Sequence, residues 1–218
     1  MRWIMGLGNP GGRYASTRHN VGFDVVDALR VRLGAPEFAP APSAPARTSR
    51  ACLDGDAVLL AKPTTYMNRS GRAAEALSEQ DDLRPEDLLL VFDDADLELG
   101  RIRVRAAGGH GGHLGVRSVA EALGSGAFDR MKIGVRGERR PGEGRLADYV
   151  LTEFDDEEQD VLADTLRGAT DAVVDWCREP LERVMNAYNG RRFGEPAGAD
   201  HRPSARTTPA DEGEETGS

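Results

Sequence analysis

A chain of 218 residues, 39% hydrophobic and 30% charged, can bury a sizeable core and has the balance of a soluble protein made of one domain and a tail. Its apolar runs fall short of the ~20 residues of a membrane span and its N-terminus lacks a secretion-signal pattern; two cysteines far apart, outside any CxxC, leave two buried thiols in a cytoplasmic protein. The net charge of −9 argues against a polyanionic partner, yet residues 195–218 contribute −4 of it, while residues 101–145 carry ten basic side chains against four acids, and local sign decides docking.

Residues 2–6 predict a first strand and residues 6–12 a glycine-rich turn. Val21, Val25, Ala28 and Leu29 recur at helical spacing, so a helix is expected over 24–33, and His19 and Asn20 stand where loop becomes helix. Gly6, Gly8 and Gly11 spell the dinucleotide fingerprint GxGxxG after a strand. That fingerprint needs a helix to open at once and a second strand ending in an acid ~20 residues on. Here Pro10, Gly11 and Gly12 prolong the turn, and a proline- and alanine-rich loop, 34–50, follows the helix. The glycines are better read as bringing backbone close to a ligand while exposing Asn9.

A hairpin is expected from 51–53 and 57–61 around Asp54, Gly55 and Asp56. Its second strand runs into KPTTYMNRSG at 62–71, where Asn68 or Ser70 can cap a helix with Ala73, Ala74 and Leu77 on its apolar face. Tyr66, Met67 and Asn68 stand at this strand-to-helix junction. Polar neighbours favour an exposed site wall over core packing for Tyr66 and Met67. Residues 88–92, LLLVF, predict a strand covered on both faces, ending in the acidic turn of Asp93, Asp94 and Asp96. Carboxylates at the end of a buried strand signal a site in open α/β sheets, while two of these three are expected only to be solvated. A metal site here lacks further partners at useful spacing, as does a zinc cluster when, of four histidines, only His110 and His113 are close together.

In RIRVR, 101–105, Arg101, Arg103 and Arg105 alternate along a strand and line one face at intervals of ~6.7 Å, a row suited to successive phosphates. Of the 28 basic residues only Lys62 and Lys132 are lysines, so an arginine alone is not read as functional. A glycine-rich loop over 106–118 precedes a helix at 115–123 and a strand at 130–135 that bears Lys132. A second arginine-bearing loop spans 136–145. An amphipathic helix over 155–178 turns Val161, Leu162, Leu166, Val173, Val174 and Cys177 inward, and a last helix runs from Pro180 to near Asn189. Residues 191–218 have the composition of a disordered tail.

GLGNPGGRYASTRHNVGF (6–23), KPTTYMNRSG (62–71), DDADLELGRIRVR (93–105) and GGHGGHLG (108–115), in this order and at these spacings, resemble the bacterial peptidyl-tRNA hydrolase family over residues 1–190. The resemblance implies a single α/β domain, a twisted mixed sheet flanked by helices on both faces (a three-layer α/β/α sandwich). It implies hydrolysis of the ester between a peptide and the terminal ribose of tRNA by a cytoplasmic monomer with no cofactor or metal. It assigns Asn9, His19 and Asp93 to catalysis. Tyr14, Tyr66, Met67, Asn68 and His113 are assigned to the substrate, and Arg103, Arg105 and Lys132 to tRNA phosphates.

Water attacks an ester poorly without a positioned base, and histidine, with an ordinary pKa of ~6.5, serves near neutral pH. A carboxylate such as Asp93 would orient the ring, and asparagine amides could hold the peptide carbonyl and N–H. One departure stands out. The family places an asparagine after GGHGGH, where this chain has Leu114, and the 38–50 loop lacks the usual aromatic-glycine pattern. A slower hydrolase is expected, with an RNA-binding paralogue lacking turnover as the alternative.

Overall fold

The computed structural model describes residues 1–138 and 145–194. Thirteen regular elements follow in order: β1 (Arg2–Gly6), α1 (Val21–Arg32), β2 (Ala39–Pro40), β3 (Ala46–Leu53), β4 (Asp56–Pro63), α2 (Gly71–Asp81), β5 (Leu88–Glu98), β6 (Ile102–Arg105), α3 (Leu114–Ala122), β7 (Asp129–Arg136), α4 (Leu146–Val150), α5 (Gln159–Arg178) and α6 (Leu181–Tyr188). They build one seven-stranded mixed sheet of order β2-β3-β4-β1-β5-β7-β6. The central β4, β1, β5 and β7 run parallel, and β2, β3 and β6 pair antiparallel towards the edges.

Strand alternation divides the core. Ile4, Leu89, Val91, Ile133 and Val135 face one way, against Val25 and Leu29 of α1, Val173 and Trp176 of α5, and Val184 of α6. Trp3, Met5, Leu88, Leu90 and Phe92 face the other way, against Ala74 and Leu77 of α2 and Val116 and Val119 of α3. This is the expected three-layer α/β/α arrangement.

The opening of α1 rests directly on the sheet. A Cβ at Gly22 would fall 2.5 Å from the carbonyl oxygens of both Leu7 and Val91, so only glycine lets the helix start there. The helix begins at Val21, three residues earlier than expected. The Asp93–Asp96 stretch is also corrected: β5 does not end in an acidic turn but continues to Glu98, with Asp93 opposite Ile133 and Asp94 opposite Gly134. Pairing with β7 carries the ladder past the apolar run. The expected row of three arginines is shortened, because Arg101 lies before β6 and pairs with Glu98 at 3.2 Å. Of the two expected buried thiols, Cys52 is exposed and Cys177 is half-buried.

Of the expected tail, residues 191–194 pack on the domain. The Phe193 N–H donates to the Gly100 carbonyl at 2.7 Å, and its ring covers Gly168. Residues 195–218, and 139–144 of the second arginine loop, lie outside the described residues.

Candidate active site

The carboxyl ends of parallel strands at a sheet edge collect loops from distant parts of the chain. Here β1 feeds residues 7–20, β4 feeds 64–70, and β5 delivers Asp93. The glycine-rich 106–113 loop leads into α3 beside them. His19 lies in a 3₁₀ turn, Arg18–Asn20, just before α1.

Asp93 is buried, and both imidazoles converge on one of its oxygens. His19 Nδ1 lies 2.7 Å from Asp93 Oδ1, and His113 Nε2 lies 3.0 Å from the same atom. The two rings are 5.2 Å apart, and Phe92 packs edge-on against His113. His113 caps α3: its Nδ1 accepts the Val116 N–H at 3.3 Å. That nitrogen therefore lacks a proton, and Nε2 is the donor to Asp93. Burial by itself would raise the Asp93 carboxyl. The His113 ring beside it, donating from Nε2, together with the hydrogen bond to His19, outweighs burial and holds the group well below the usual carboxylate range. With the ring's Nδ1 turned onto Asp93, its Nε2 is left for solvent, to which the His19 side chain is 15% exposed. One ligand atom from each of the three lies within 4.8 Å of the others, close enough to invite a cation, but His19 Nδ1 and His113 Nε2 are already bonded to the carboxylate.

Asn9 is buried and fixed from both sides. Its backbone N–H donates to Asn20 Oδ1 at 2.7 Å, and Asn20 Nδ2 donates back to the Asn9 carbonyl at 3.0 Å. Its Oδ1 accepts the Met67 N–H at 2.9 Å, which leaves the amide Nδ2 as a donor. Met67 corrects the expected exposed wall. Its side chain is buried in the α2–α3 face of the core, and its sulfur fills the space where a Cβ on Gly115 would fall. Tyr66, by contrast, is 53% exposed, and Asn68 beside it is exposed as well. Tyr14 is half-buried, with its hydroxyl accepting from Arg13 at 2.6 Å. Leu114, the first residue of α3, is 48% exposed and brings an apolar side chain next to His113.

On the adjoining strands, Arg103 and Arg105 are exposed and stand opposite Lys132 and Arg130 in the β6–β7 ladder. Lys132 is already paired with Asp94 at 2.7 Å, and Arg130 is buried against the carbonyls of Gly109 and Gly126. Reading the sequence alone missed Asn20, as the brace of Asn9, and the burial of Arg18. The two flank His19 in TRHN, and a polar triplet ahead of an apolar helix was the available signal.

The chain is an α/β protein that sets an imidazole–carboxylate cluster beside the carboxyl ends of its central parallel strands. The sequence profile of the peptidyl-tRNA hydrolase family matches residues 3–196. A peptidyl-tRNA hydrolase of Synechococcus sp. (strain JA-3-3Ab) is 44% identical over 196 residues, 90% of this chain and 86% of that protein. One from Lacticaseibacillus casei (strain BL23) is 40% identical over 190 residues, 87% of this chain and all of that one. The crystal structure of peptidyl-tRNA hydrolase from Acinetobacter baumannii superposes with a TM-score of 0.81 at 33% identity, covering 88% of this chain and 96% of that one. The chain belongs to the peptidyl-tRNA hydrolase family.

Proposed function

We propose that the protein hydrolyses the ester between a peptide, or an N-blocked aminoacyl group, and the terminal ribose of tRNA, with His19 as general base. The observation that carries this is the 2.7 Å contact of His19 Nδ1 with buried Asp93, which sets the tautomer and leaves Nε2 to accept a proton. Water held at Nε2 attacks the ester carbonyl carbon while its proton passes to the ring. The carbonyl–ribose oxygen bond then breaks, and the imidazolium returns the proton to the departing ribose oxygen. A base of this kind supplies roughly 10²–10⁴ in rate.

The Nδ2 of Asn9 donates to a substrate carbonyl, and Asn68 makes a second polar contact on the peptide side. The phenol rings of Tyr14 and Tyr66 stack on unpaired bases of the acceptor end. Arg103 and Arg105 take phosphates, assisted by Lys132 once its pairing with Asp94 is shared. Leu114 offers the oxyanion no side-chain donor, and one such donor is worth ~2.7–4 kcal/mol elsewhere. The protein works in the cytoplasm as a monomer, in keeping with its unpaired thiols.

The test is release of N-acetylaminoacyl groups from tRNA by the wild type, His19→Ala and Leu114→Asn. Turnover that vanishes in His19→Ala and rises in Leu114→Asn supports the proposal. tRNA binding without turnover in the wild type would instead make this an RNA-binding relative.

A further inference from the structure

A 3₁₀ turn advances three residues per revolution, so three consecutive side chains leave it about 120° apart. Arg18, His19 and Asn20 use all three directions. His19 meets Asp93, and Asn20 meets the backbone of Asn9 on both its N–H and its carbonyl. Arg18 goes the third way, into segment 149–158. Its guanidinium is buried between the rings of Tyr149 and Phe154, at 4.7 and 4.6 Å. Its Nη2 and Nη1 grip Glu158 at 2.5 and 3.2 Å, Nη1 also donates to the Val135 carbonyl, and Nε reaches Thr152 Oγ1. The Arg18 backbone N–H donates to the Thr152 carbonyl, and Thr17 bridges to Glu153. Glu158 is itself held by the Asp155 N–H, and the Tyr149 hydroxyl ties Val135 to Gly137.

We infer that Arg18 is a positioning residue for the reaction: its clamp on segment 149–158 sets the rotation of the turn and so aims the His19 ring at Asp93. The inference rests on the proposed role of His19 as base. Packing alone does not require a charge at this place. Burying an ion pair contributes little net stability, and an apolar side chain would fill the slot between two rings. What the guanidinium adds is direction, because five donors in a rigid plane admit one orientation. With the fork gone, the turn is held on this side only by backbone, through the Arg18 N–H on Thr152 and the Thr17–Glu153 bridge. Asn20 holds it on another, so its rotation is less tightly set.

The test uses the full chain with Arg18→Lys, which keeps charge and length but loses the planar fork, and Glu158→Gln, which keeps shape. Two readouts are independent. Hydrolysis of N-acetylaminoacyl-tRNA gives kcat and KM. Nitrogen-15 labelling of the four histidines follows the His19 Nδ1–H resonance bonded to Asp93, assigned with His113→Ala and needing no turnover. We expect folded variants with KM unchanged, kcat lower by about 10- to 100-fold, and the His19 resonance lost or shifted in both. Should Arg18→Lys fail to fold, Glu158→Gln decides. Folded variants that keep the resonance and kcat, or that change KM alone, overturn the inference. A wild type with the intact resonance but no His19-dependent turnover would count against the proposed reaction and leave the clamp to the spectroscopic readout.

Discussion

Replacing Asp93 with asparagine separates two things the carboxylate does, and the geometry says which survives. Both imidazoles touch the same oxygen, at 2.7 and 3.0 Å. His113 is locked as an Nε2–H donor because its Nδ1 accepts the Val116 N–H. An asparagine here must therefore turn its oxygen, not its NH₂, towards His113, and so towards His19 as well. His19 keeps the proton on Nδ1, and only the negative charge is lost. Two unit charges about 4 Å apart interact by ~4 kcal/mol at an effective dielectric of ~20, and a charged hydrogen bond exceeds a neutral one by roughly 1–2 kcal/mol. A loss of about 2–4 kcal/mol in transition-state stabilisation lowers kcat by roughly 30- to 1,000-fold. Where the same exchange forces the wrong tautomer, the loss reaches about 10⁴. The assay is single-turnover hydrolysis of N-acetylaminoacyl-tRNA, beside tRNA binding, which is expected to hold. With His113→Ala added the amide is free to flip, and the double variant should fall below either single one. Unchanged kcat in Asp93→Asn, or a double variant no worse than the single ones, would refute the reasoning.

Arg105→Ala should weaken tRNA binding and reduce the slope of log K against log salt by about one, read from a salt titration; an unchanged slope removes Arg105 from the phosphate contacts. Asp24 supplies a pH dependence. Burial, then the neighbouring charge of Asp27, raise its carboxyl from 3.8 to about 7 against the opposing pull of Lys62. The native state thus holds a proton that the unfolded chain has lost, and this group's ionisation removes stability as pH rises from about 4 to 7, by at most ~4 kcal/mol. Denaturant unfolding of Asp24→Asn should show a gain over wild type that is larger at pH 8 than at pH 5; equal gains would contradict the assignment. A Cβ at Gly115 would lie 2.5 Å from Met67 Sδ and 3.1 Å from His113 Cε1. Gly115→Ala should cost ~1–3 kcal/mol in unfolding free energy and lower kcat, because the ring that locks Asp93 is pushed. A melting curve with unchanged kcat would show that the ring does not move.

Much of this protein was readable before any coordinate. Local patterning declares the strands, since WIM and LLLVF are continuous apolar runs and IRV alternates, and the polar junctions at 6–20 and 62–71 declare loops near a site, with a further glycine-rich loop at 106–118. His19, Asp93 and Asn9 carry the right chemistry for hydrolysis by water. Other features depend on which strands lie side by side. Pairing with β7 carried Asp93 and Asp94 into a strand instead of a turn, and the packing of α3 on Met67 made a core residue of an expected wall. Only the assembled sheet, where residues 18, 20, 93, 113 and 158 become neighbours across up to 140 positions, set His113 on the carboxylate of Asp93 and Arg18 on Glu158. A hydrogen bond depends on distances of a few tenths of an ångström, and local sequence periodicity does not encode distances between residues so far apart in the chain.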